Sequence, residues 1–541
     1  MTLASSQSAI SNQQSAIRSG HLALVLHAHL PFVRHPEHEE FLEEDWLFEA
    51  ITETYIPLLN VLERLRRDAV TFKLTMSITP PLCAMLEDEL LRSRYVRHLD
   101  RIISLAEREC DRTHGEPELQ ELARFYLDLL LSTRRQFDDE WQRDLLGRFR
   151  QFRDAGVLEI SASAATHGLL PLLAQSPETV RAQVLIGIDV YRDIFGADPA
   201  GFWLPECGYA PGLDRILQEA NIRWSVVDAH GLMFGKPRPC RAIYAPCFTP
   251  AGPAVFARDP ESSRQVWSAE SGYPGDPAYR EFYRDIGFDL PGGYVSPESP
   301  NRAARFTGLK YHRITGRGET KELYNRSWAE AATKAHAEHF LESRRHQLRE
   351  LAGHDFSPII TMPFDAELFG HWWFEGPQFL ESFIRKAAAH ADELILATPS
   401  EYLAANPTQE VVEPAASSWG DKGYWGVWLD TSNAWIYPHL HAAARRMTEI
   451  ARLHASDPTA KTERVLKQLA RELLLAQSSD WAFLIHSGTA KQYATGRTTD
   501  HIARFNALHE QLQSGSLDER FLSECESRDN LFADVNWRHY L

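Results

Sequence analysis

The chain has 541 residues, of which 44% are hydrophobic and 24% charged, a composition typical of a globular enzyme with several cores. Its net charge of −17 argues against a nucleic-acid-binding protein, because neutralising phosphates requires a basic surface. The six cysteines form no CxxC pair, and no apolar run approaches the roughly 20 residues of a membrane span. These features exclude a disulfide scaffold, a zinc ribbon and a membrane protein. We therefore expect a cytoplasmic enzyme.

Residues 1–20 are polar and lack an apolar segment, so we expect a disordered tail rather than a signal peptide. Buried strands are predicted from the apolar runs His21–Leu30, Phe72–Thr79, Leu158–Thr166, Gly201–Pro205, Arg223–Asp228, Pro358–Pro363 and Leu394–Thr398. Helical patterns lie between several of them, from Pro177 to about Gly196 and over Trp328–Leu351. Strands that alternate with helices predict a parallel α/β sheet, either open or closed into a barrel.

Two departures from this alternation suggest the domain limits. From 81 to 156 the pattern is only helical, which predicts a helical insertion within a strand-rich domain of residues 21–403. After a loop-like stretch, three further helical patterns occur at Pro438–Ser456, Thr462–Ala476 and Thr499–Gln513. We therefore predict that residues 404–541 form an α-helical C-terminal domain.

Two predicted strands end in carboxylates. Glu206 follows the run GFWLP, and barrel enzymes carry their catalytic groups at such strand ends, although Glu206 could equally cap the next helix. The segment PIITMPFDAELFGHWWFEGP places Asp365 and Glu367 at a second strand end, close to Trp372 and Trp373. Paired carboxyl groups beside aromatic rings suit glycoside chemistry, since the rings pack against sugars. The alternative is that the tryptophans lie in the core and the acids in solvent.

Three histidines also lie at strand ends. His27 and His29 share a face at the end of the first strand, and His167 follows the third. Three such groups are able to bind zinc, or to donate and accept hydrogen bonds with sugar hydroxyls. The residues alone leave both interpretations open.

Three tryptophan-containing segments complete the set of candidates. Arg258–Gly275 contains Trp267, lacks the spacing of a phosphate loop, and is interpreted as a long irregular loop, functional or disordered. Ser417–Asp430 contains Trp419 and Trp428 in a Gly-rich loop, for which we predict a wall that holds an acceptor sugar; the alternative is that one or two of its three tryptophans pack in the core. QSSDWAF contributes Asp480 and Trp481 near a helix end, either as another wall or as packing.

HAHLPFV, WLPECGY, MPFDAELFGHWWFEGP, SSWG and QSSDW together resemble glycoside hydrolase family 57, and within it the 1,4-α-glucan branching enzymes. The resemblance covers nearly the whole chain from His21 onward. It implies an incomplete (β/α)₇ barrel with a helical insertion and an α-helical C-terminal domain. It also implies a retaining mechanism without metal or organic cofactor. The implied donor and acceptor is an α-1,4-glucan such as amylose or glycogen, with no nucleic-acid or membrane partner.

The resemblance also implies individual roles. Glu206 is similar to the family nucleophile and Asp365 to its general acid/base. The remaining positions are similar to those that contact the glucan: Arg258, Trp267, Gly275, Trp419 and Asp480, together with the donor-site histidines His27, His29 and His167. To these we add Trp372 and Trp428 from the aromatic pattern described above.

One departure concerns the connection from His230 to Arg258, which is shorter than the tyrosine-bearing lid of many branching members. Its only tyrosine is Tyr244. A missing lid would admit water to the covalent intermediate, so hydrolysis would compete with transfer. The alternatives are therefore an α-amylase or 4-α-glucanotransferase of the same family, a zinc-dependent hydrolase, and a glucan-binding protein without activity.

Overall fold

The computed structural model describes residues 20–268, 271–298, 304–316, 318 and 320–541. Of the predicted tail, residues 1–19 lie outside this described part, and Gly20 begins the first strand. The strands are β1 (Gly20–Ala28), β2 (Leu74–Ile78), β3 (Leu158–Ser163), β4 (Gly201–Trp203), β5 (Trp224–Val227), β6 (Cys247–Phe248), β7 (Ala254–Ala257), β8 (Ile359–Asp365), β9 (Leu394–Leu396) and β10 (Glu410–Val411).

Seven of these strands are parallel neighbours in the order β7-β5-β4-β3-β2-β1-β8. The two ends of this sheet meet, because Arg258 bridges to Thr361 and the backbone N–H of Asp259 donates to the Thr361 carbonyl over 2.8 Å. β9 pairs with the start of β1, while β6 and β10 extend the edge beside β7. The sheet is therefore a seven-stranded (β/α) barrel, as the sequence predicts.

Helices cover the outside of the barrel. Between β1 and β3 they are α1 (Glu44–Ala50), α2 (Ile56–Arg67), α3 (Pro80–Glu87), α4 (Glu89–Arg112), α5 (Pro117–Arg134) and α6 (Leu145–Asp154), with π-helical turns at Ile51–Tyr55 and Arg135–Glu140. The helices α3 to α6 occupy the stretch in which the insertion is predicted. They are followed by α7 (Leu170–Leu173), α8 (Pro177–Phe195), α9 (Leu213–Glu219) and α10 (Ala229–Met233).

The second half of the chain is also mainly helical. Its helices are α11 (Pro260–Trp267), α12 (Ile286–Asp289), α13 (Gly292–Val295), α14 (Arg326–Glu350), α15 (Gly376–Ala389), α16 (Pro399–Ala405), α17 (Ile436–Leu453), α18 (Ala460–Ala476), α19 (Ser479–Ser487), α20 (Lys491–Ser514) and α21 (Glu519–Arg528). Short 3₁₀ turns lie at Pro205–Cys207, Tyr273–Gly275, Ala366–Leu368, Asp421–Gly423 and Trp537–Tyr540. The domain limits 21–403 and 404–541 remain predictions.

The seven parallel strands of the barrel are buried on both faces, as strands between a lumen and a helical layer must be. Along β1, Leu22, Leu24 and Leu26 face the large core beneath the helices, whereas Ala23 and Val25 face the smaller core inside the barrel. The barrel interior is therefore filled with side chains. No helix of the described residues combines the length and apolarity that crossing a membrane requires.

Two local predictions differ from the structure. The segment Arg258–Gly275 is not a continuous irregular loop, because Asp259 caps helix α11 by accepting a hydrogen bond from the Ser262 N–H over 2.7 Å. The sequence analysis also missed the four-residue strand β7. Missing β7 matters because this strand ends directly before Arg258.

Candidate active site

The two predicted carboxylates lie at the ends of two barrel strands. Glu206 follows β4 in a 3₁₀ turn with left-handed backbone at φ 60°, and Cys207 has φ 49°. His167, after β3, is left-handed as well at φ 57°. Non-glycine residues rarely adopt this conformation, and such strain is concentrated at functional sites. The strand ends are thus bent to present specific side chains at one edge of the barrel.

The Glu206 carboxylate has two hydrogen-bond donors from outside the barrel strands. The indole N–H of Trp419 donates to Oε2 over 2.9 Å, and the Ser479 hydroxyl donates to Oε1 over 3.1 Å. The Trp419 backbone N–H also donates to the Glu206 carbonyl over 3.0 Å. The carboxylate is therefore fixed in orientation, while its side chain stays 16% exposed.

Burial is the main influence on Glu206 and raises its pKa to about 7. The Trp419 and Ser479 hydrogen bonds and the charge of His29 act in the opposite direction, because they stabilise the carboxylate, whereas the charge of Asp480 raises the pKa further. Glu206 is consequently able to be ionised near neutral pH.

Asp365 ends β8 and is the register partner of His27 on β1. Its pKa is raised well above the ordinary value by burial, and then by the charges of Glu367 and Glu206, against which Arg258 acts. None of the described groups forms a hydrogen bond with its carboxylate. Burial and the neighbouring carboxylates therefore favour the protonated form of Asp365.

Glu367 is held in place behind Asp365. The Tyr55 hydroxyl donates to Glu367 Oε1 over 2.5 Å, and the backbone N–H of His29 donates to the same oxygen over 3.1 Å. Burial raises the pKa of Glu367 to about 7, and these donors act against that increase. A fixed carboxyl group thus lies next to Asp365 and favours the protonated form of Asp365.

The three predicted histidines lie together in the site. The rings of His29 and His167 are stacked with centroids 3.8 Å apart, and His27 Nε2 lies 3.0 Å from His167 Nε2. His27 also stacks on the buried Trp203 at 4.4 Å. Burial lowers the pKa values of His27 and His167 well below 6.5, so both rings are neutral. His27 and His167 therefore form a neutral hydrogen-bonded pair.

His29 differs because it has an acidic partner. Its Nε2 lies 3.0 Å from Asp480 Oδ2, and its Nδ1 lies 2.9 Å from the Thr79 hydroxyl. Burial lowers its pKa, but Asp480, Glu206 and Glu367 outweigh burial and raise it. The pKa of Asp480, which burial would raise, is lowered to about 2 mainly by His29. His29 and Asp480 form an ion pair close to Glu206 and Glu367.

Two groups of side chains have the donor set for a metal ion. His29, His167 and Asp480 offer donor atoms within 4.8 Å of one another, as do the buried Glu472, His501 and Asp529 of the C-terminal helices. In the first group every ring nitrogen of the histidines has a hydrogen-bond partner. In the second, the Arg504 guanidinium already donates to Asp529 over 2.9 Å. The interactions present are thus hydrogen bonds and ion pairs.

Arg258 lies on the other side of the site. Its guanidinium donates to Asp228 over 3.3 Å and lies 5.4 Å above the ring centre of Trp419. Asp228 in turn lies 2.9 Å from His230 Nδ1, and His230 Nε2 lies 2.8 Å from the Gly423 carbonyl. This chain of contacts attaches the segment Ser417–Asp430 to the ends of β5 and β7.

The prediction for Trp428 is wrong. The ring is 2% exposed and packs beneath Gly420, where a Cβ atom would come within 2.4 Å of it. A ring enclosed in this way cannot stack on a sugar. The Trp419 indole N–H contacts Glu206, and the acceptor role of Trp419 stays a prediction. The exposed aromatic side chain of this loop is Tyr424, which packs edge-on against His230.

The remaining aromatic candidates are accessible. Trp372 is 51% exposed and stacks on Phe282 at 4.5 Å, and its backbone N–H donates to the Glu367 carbonyl over 3.2 Å. Trp267 is 39% exposed at the end of α11. Gly275 ends a 3₁₀ turn with open space beside its Cα atom. The structure shows no direct contact of Trp267 or Gly275 with Glu206 or Asp365.

Sequence reasoning missed three groups. Ser479 lies beside the candidate Asp480 in QSSDW, and it is 273 residues from its partner Glu206. Tyr55 has no distinguishing pattern around it. Trp203, within the strand itself, supports His27 and packs against Trp419 at 5.1 Å. Only the tertiary structure brings these residues together.

A parallel barrel that presents two buried carboxyl groups at its strand ends is an arrangement that glycoside hydrolases and related transferases use. The sequence comparison agrees. The family model "Glycosyl hydrolase family 57" matches residues 23–415, and the model "1,4-alpha-glucan branching enzyme, C-terminal" matches residues 439–540. The chain belongs to glycosyl hydrolase family 57.

Individual relatives are similar over most of their length. A 1,4-α-glucan branching enzyme from Thermococcus kodakarensis is 35% identical over 95% of this chain and 78% of its own. An α-amylase from Thermotoga maritima has 43% identity and a TM-score of 0.89, covering 96% and 99% of the two chains. A branching enzyme of this family from Pyrococcus horikoshii has 35% identity and a TM-score of 0.86, covering 96% and 97%.

Proposed function

We propose that the chain is a 1,4-α-glucan branching enzyme that works by a retaining mechanism, with Glu206 as nucleophile and Asp365 as general acid/base. The pair of carboxyl groups supports the chemistry. Hydrogen-bond donors stabilise the ionised form of Glu206, whereas burial and neighbouring carboxylates favour the protonated form of Asp365. Retaining enzymes need one carboxyl group in each state.

In the first half-reaction, Glu206 attacks the anomeric carbon of an α-1,4-glucan. The bond from this carbon to the leaving 4-oxygen breaks, and Asp365 transfers its proton to that oxygen. The products are a glycosyl ester of Glu206, the released glucan and an ionised Asp365. Arg258, which already counteracts the raised pKa of Asp365, stabilises the new negative charge.

In the second half-reaction, Asp365 removes the proton from an acceptor hydroxyl that attacks the ester at the anomeric carbon. Glu206 leaves as a carboxylate and Asp365 is protonated again. A glucan 6-hydroxyl yields an α-1,6 branch, a 4-hydroxyl yields disproportionation, and water yields hydrolysis. The two inversions together retain the anomeric configuration.

Branching is favoured by the identity of the chain segment that completes the site. Ser479 and Asp480, which contact Glu206 and His29, lie within the residues that match the branching-enzyme C-terminal model. Together with the branching-enzyme relatives, this supports a role in α-glucan metabolism of the glycogen or starch type. A glucan-binding protein without activity is disfavoured, because both carboxyl groups are present in the surroundings described above.

A second candidate is an α-amylase. It is favoured by the 43% identity to the Thermotoga maritima α-amylase. It is also consistent with the short connection between β5 and β7, whose ordered elements are α10 and β6 alone. A short connection leaves less protein over the covalent intermediate, so water has easier access to it.

Incubation with amylose tests the proposal. The reducing ends released by a debranching enzyme measure the number of α-1,6 linkages. The reducing ends formed before that digestion measure hydrolysis. Branches that outnumber new reducing ends support the branching assignment. Reducing ends without branches would assign the protein as an amylase. Glu206→Gln serves as the inactive control in both measurements.

Treatment with a chelator distinguishes the proposed two-carboxylate enzyme from a zinc-dependent hydrolase. We expect that dialysis against EDTA leaves the initial rate on amylose unchanged, because the two carboxyl groups carry out both half-reactions. Activity that disappears with EDTA and returns with zinc would show that a metal ion takes part, with His29, His167 and Asp480 as its candidate ligands at this site.

A further inference from the structure

We propose that Ser479 is a positioning residue for Glu206, and that it is the last donor of a one-way hydrogen-bond chain from His27 through His167 to the nucleophile. This inference rests on the proposed role of Glu206. It assigns a function in catalysis to a hydroxyl group of helix α19, outside the barrel.

Four side chains form the chain. His27 Nε2 lies 3.0 Å from His167 Nε2, His167 Nδ1 lies 3.1 Å from Ser479 Oγ, and Ser479 Oγ lies 3.1 Å from Glu206 Oε1. These distances are all within hydrogen-bond range. Each link therefore has one donor and one acceptor.

The direction of the chain follows from the protonation states. An ionised Glu206 only accepts, so the Ser479 hydroxyl proton must point to it. The Ser479 oxygen then accepts, and the hydrogen on His167 Nδ1 is its donor. Since His167 is neutral, its Nε2 carries no hydrogen and must accept. His27 is therefore the donor through its own Nε2.

The link between His167 and His27 fixes the tautomer of His27. A neutral His27 that donates from Nε2 has a bare Nδ1, and that nitrogen is buried without a partner among the described residues. At the other end of the hydrogen-bond chain, the ionised Glu206 carboxylate can only accept, so the direction is fixed. Reversing any link would place two hydrogens, or none, between one pair of atoms.

The backbone fixes Ser479 relative to His167 as well. The Ser479 N–H donates to the His167 carbonyl over 3.2 Å, and Gly168 bridges to Ser478. His167 thus contacts Ser479 through both its carbonyl and its ring. The left-handed backbone of His167 directs that ring toward the helix, which is a physical reason for the strain at this position.

Ser479 acts on a carboxylate among several charges. The groups that face Glu206 are Asp480 and His29 below it, His167 at 3.7 Å, and Asp365 with Arg258 and Asp228 across the site. Burial and Asp480 raise the pKa of Glu206, and the Ser479 hydroxyl lowers it. Removing the hydroxyl should therefore shift ionisation of Glu206 to higher pH.

The test is the pH dependence of kcat/KM for amylose in Ser479→Ala, Ser479→Cys and Ser479→Thr. We expect Ser479→Ala to lower kcat/KM about tenfold or more at and below neutral pH, the size of a lost hydrogen bond to a charged group. Its acidic limb should move to higher pH by about one unit, with KM nearly unchanged. Threonine retains the hydroxyl and should restore both, and the weaker thiol donor should lie between.

Ser487→Ala is the matched control, because Ser487 ends the same helix and, among the described residues, its hydroxyl forms hydrogen bonds only with Leu484 and Thr489. A Ser479→Ala variant with the wild-type acidic limb, or a threonine variant as impaired as alanine, overturns the inference. If Ser479→Ala does not fold, the ranking of kcat/KM tests the inference, which expects serine first, then threonine, then cysteine. A fully active Glu206→Gln overturns the proposed function and this inference together, whereas an inactive one leaves the Ser479 result to stand alone.

Discussion

The ends of β4 and β8 present carboxyl groups in opposite environments. At the end of β4, Glu206 receives hydrogen bonds from Trp419 and Ser479, both from segments that follow the barrel in the chain. At the end of β8, Asp365 receives none from the described residues, and a second carboxyl group, Glu367, lies beside it. The barrel thus supplies two similar acids, and its surroundings make them different.

This difference shows how one site produces two protonation states. Burial disfavours the charged form of both groups, so burial alone would leave both protonated. Donors to Glu206 counteract burial, whereas the charges of Glu367 and Glu206 add to it at Asp365. Removing one element of this asymmetry at a time tests whether it causes the division of roles.

The largest effect is expected at the nucleophile. Glu206→Gln keeps the acceptor oxygen for one donor but cannot form a glycosyl ester, so activity on amylose should fall by about 10⁴-fold or more. Initial rates at fixed pH and a circular dichroism spectrum like that of the wild type would check this. Wild-type turnover in the folded variant would show that Glu206 is not the nucleophile.

Asp365→Asn should have the next largest effect, a loss of about 10² to 10⁴-fold on amylose, because general acid and base catalysis are both removed. An α-maltosyl fluoride donor needs no protonation of its leaving group, so it should still load Glu206. Azide should then attack the anomeric carbon and restore turnover, with an α-maltosyl azide as product. Absence of azide rescue would contradict the acid/base role of Asp365.

Trp419→Phe removes the indole donor to Glu206 and keeps a ring against Trp203 and Arg258. We expect transfer and hydrolysis to fall together by about tenfold, since both proceed through the same ester. Trp428→Phe is the control, because its buried indole N–H has no partner among the described residues. A loss of transfer with hydrolysis unchanged would instead place Trp419 at the acceptor.

Much of the barrel was predictable, because buried parallel strands are apolar runs that end in polar groups. The predicted run Leu158–Thr166 corresponds to β3, and the helix from Pro177 ends where Gly196 adopts φ 66° and donates to the Arg192 carbonyl. The strand β7 escaped detection, as did the helix in Arg258–Gly275. In that segment Asp259 and Pro260 form a helix start that its polar composition concealed.

The site was only partly predictable. Glu206, Asp365 and the three histidines were found because they directly follow apolar runs. The exposure of Trp428 was misjudged, because a glycine in a loop indicates flexibility as readily as close packing, and Gly420 provides close packing here. Ser479 could not be found, since no local pattern tells which helix of a distant region will cover a strand end.

Glu367→Gln is expected to have the smallest effect, and it tests the Asp365 side of the asymmetry. The amide oxygen can still accept from Tyr55 and His29, so the structure should persist while one negative charge is lost. That charge raises the pKa of Asp365, so its removal should move the basic limb of kcat/KM to lower pH, by about one unit or less. Tyr55→Phe removes a donor that lowers the pKa of Glu367, so it favours the neutral form of Glu367 and should move the limb in the same direction by a smaller amount. A basic limb that stays at the wild-type pH in Glu367→Gln would leave burial and Glu206 as the causes of the raised pKa, because Glu367 would then only support the backbone of His29.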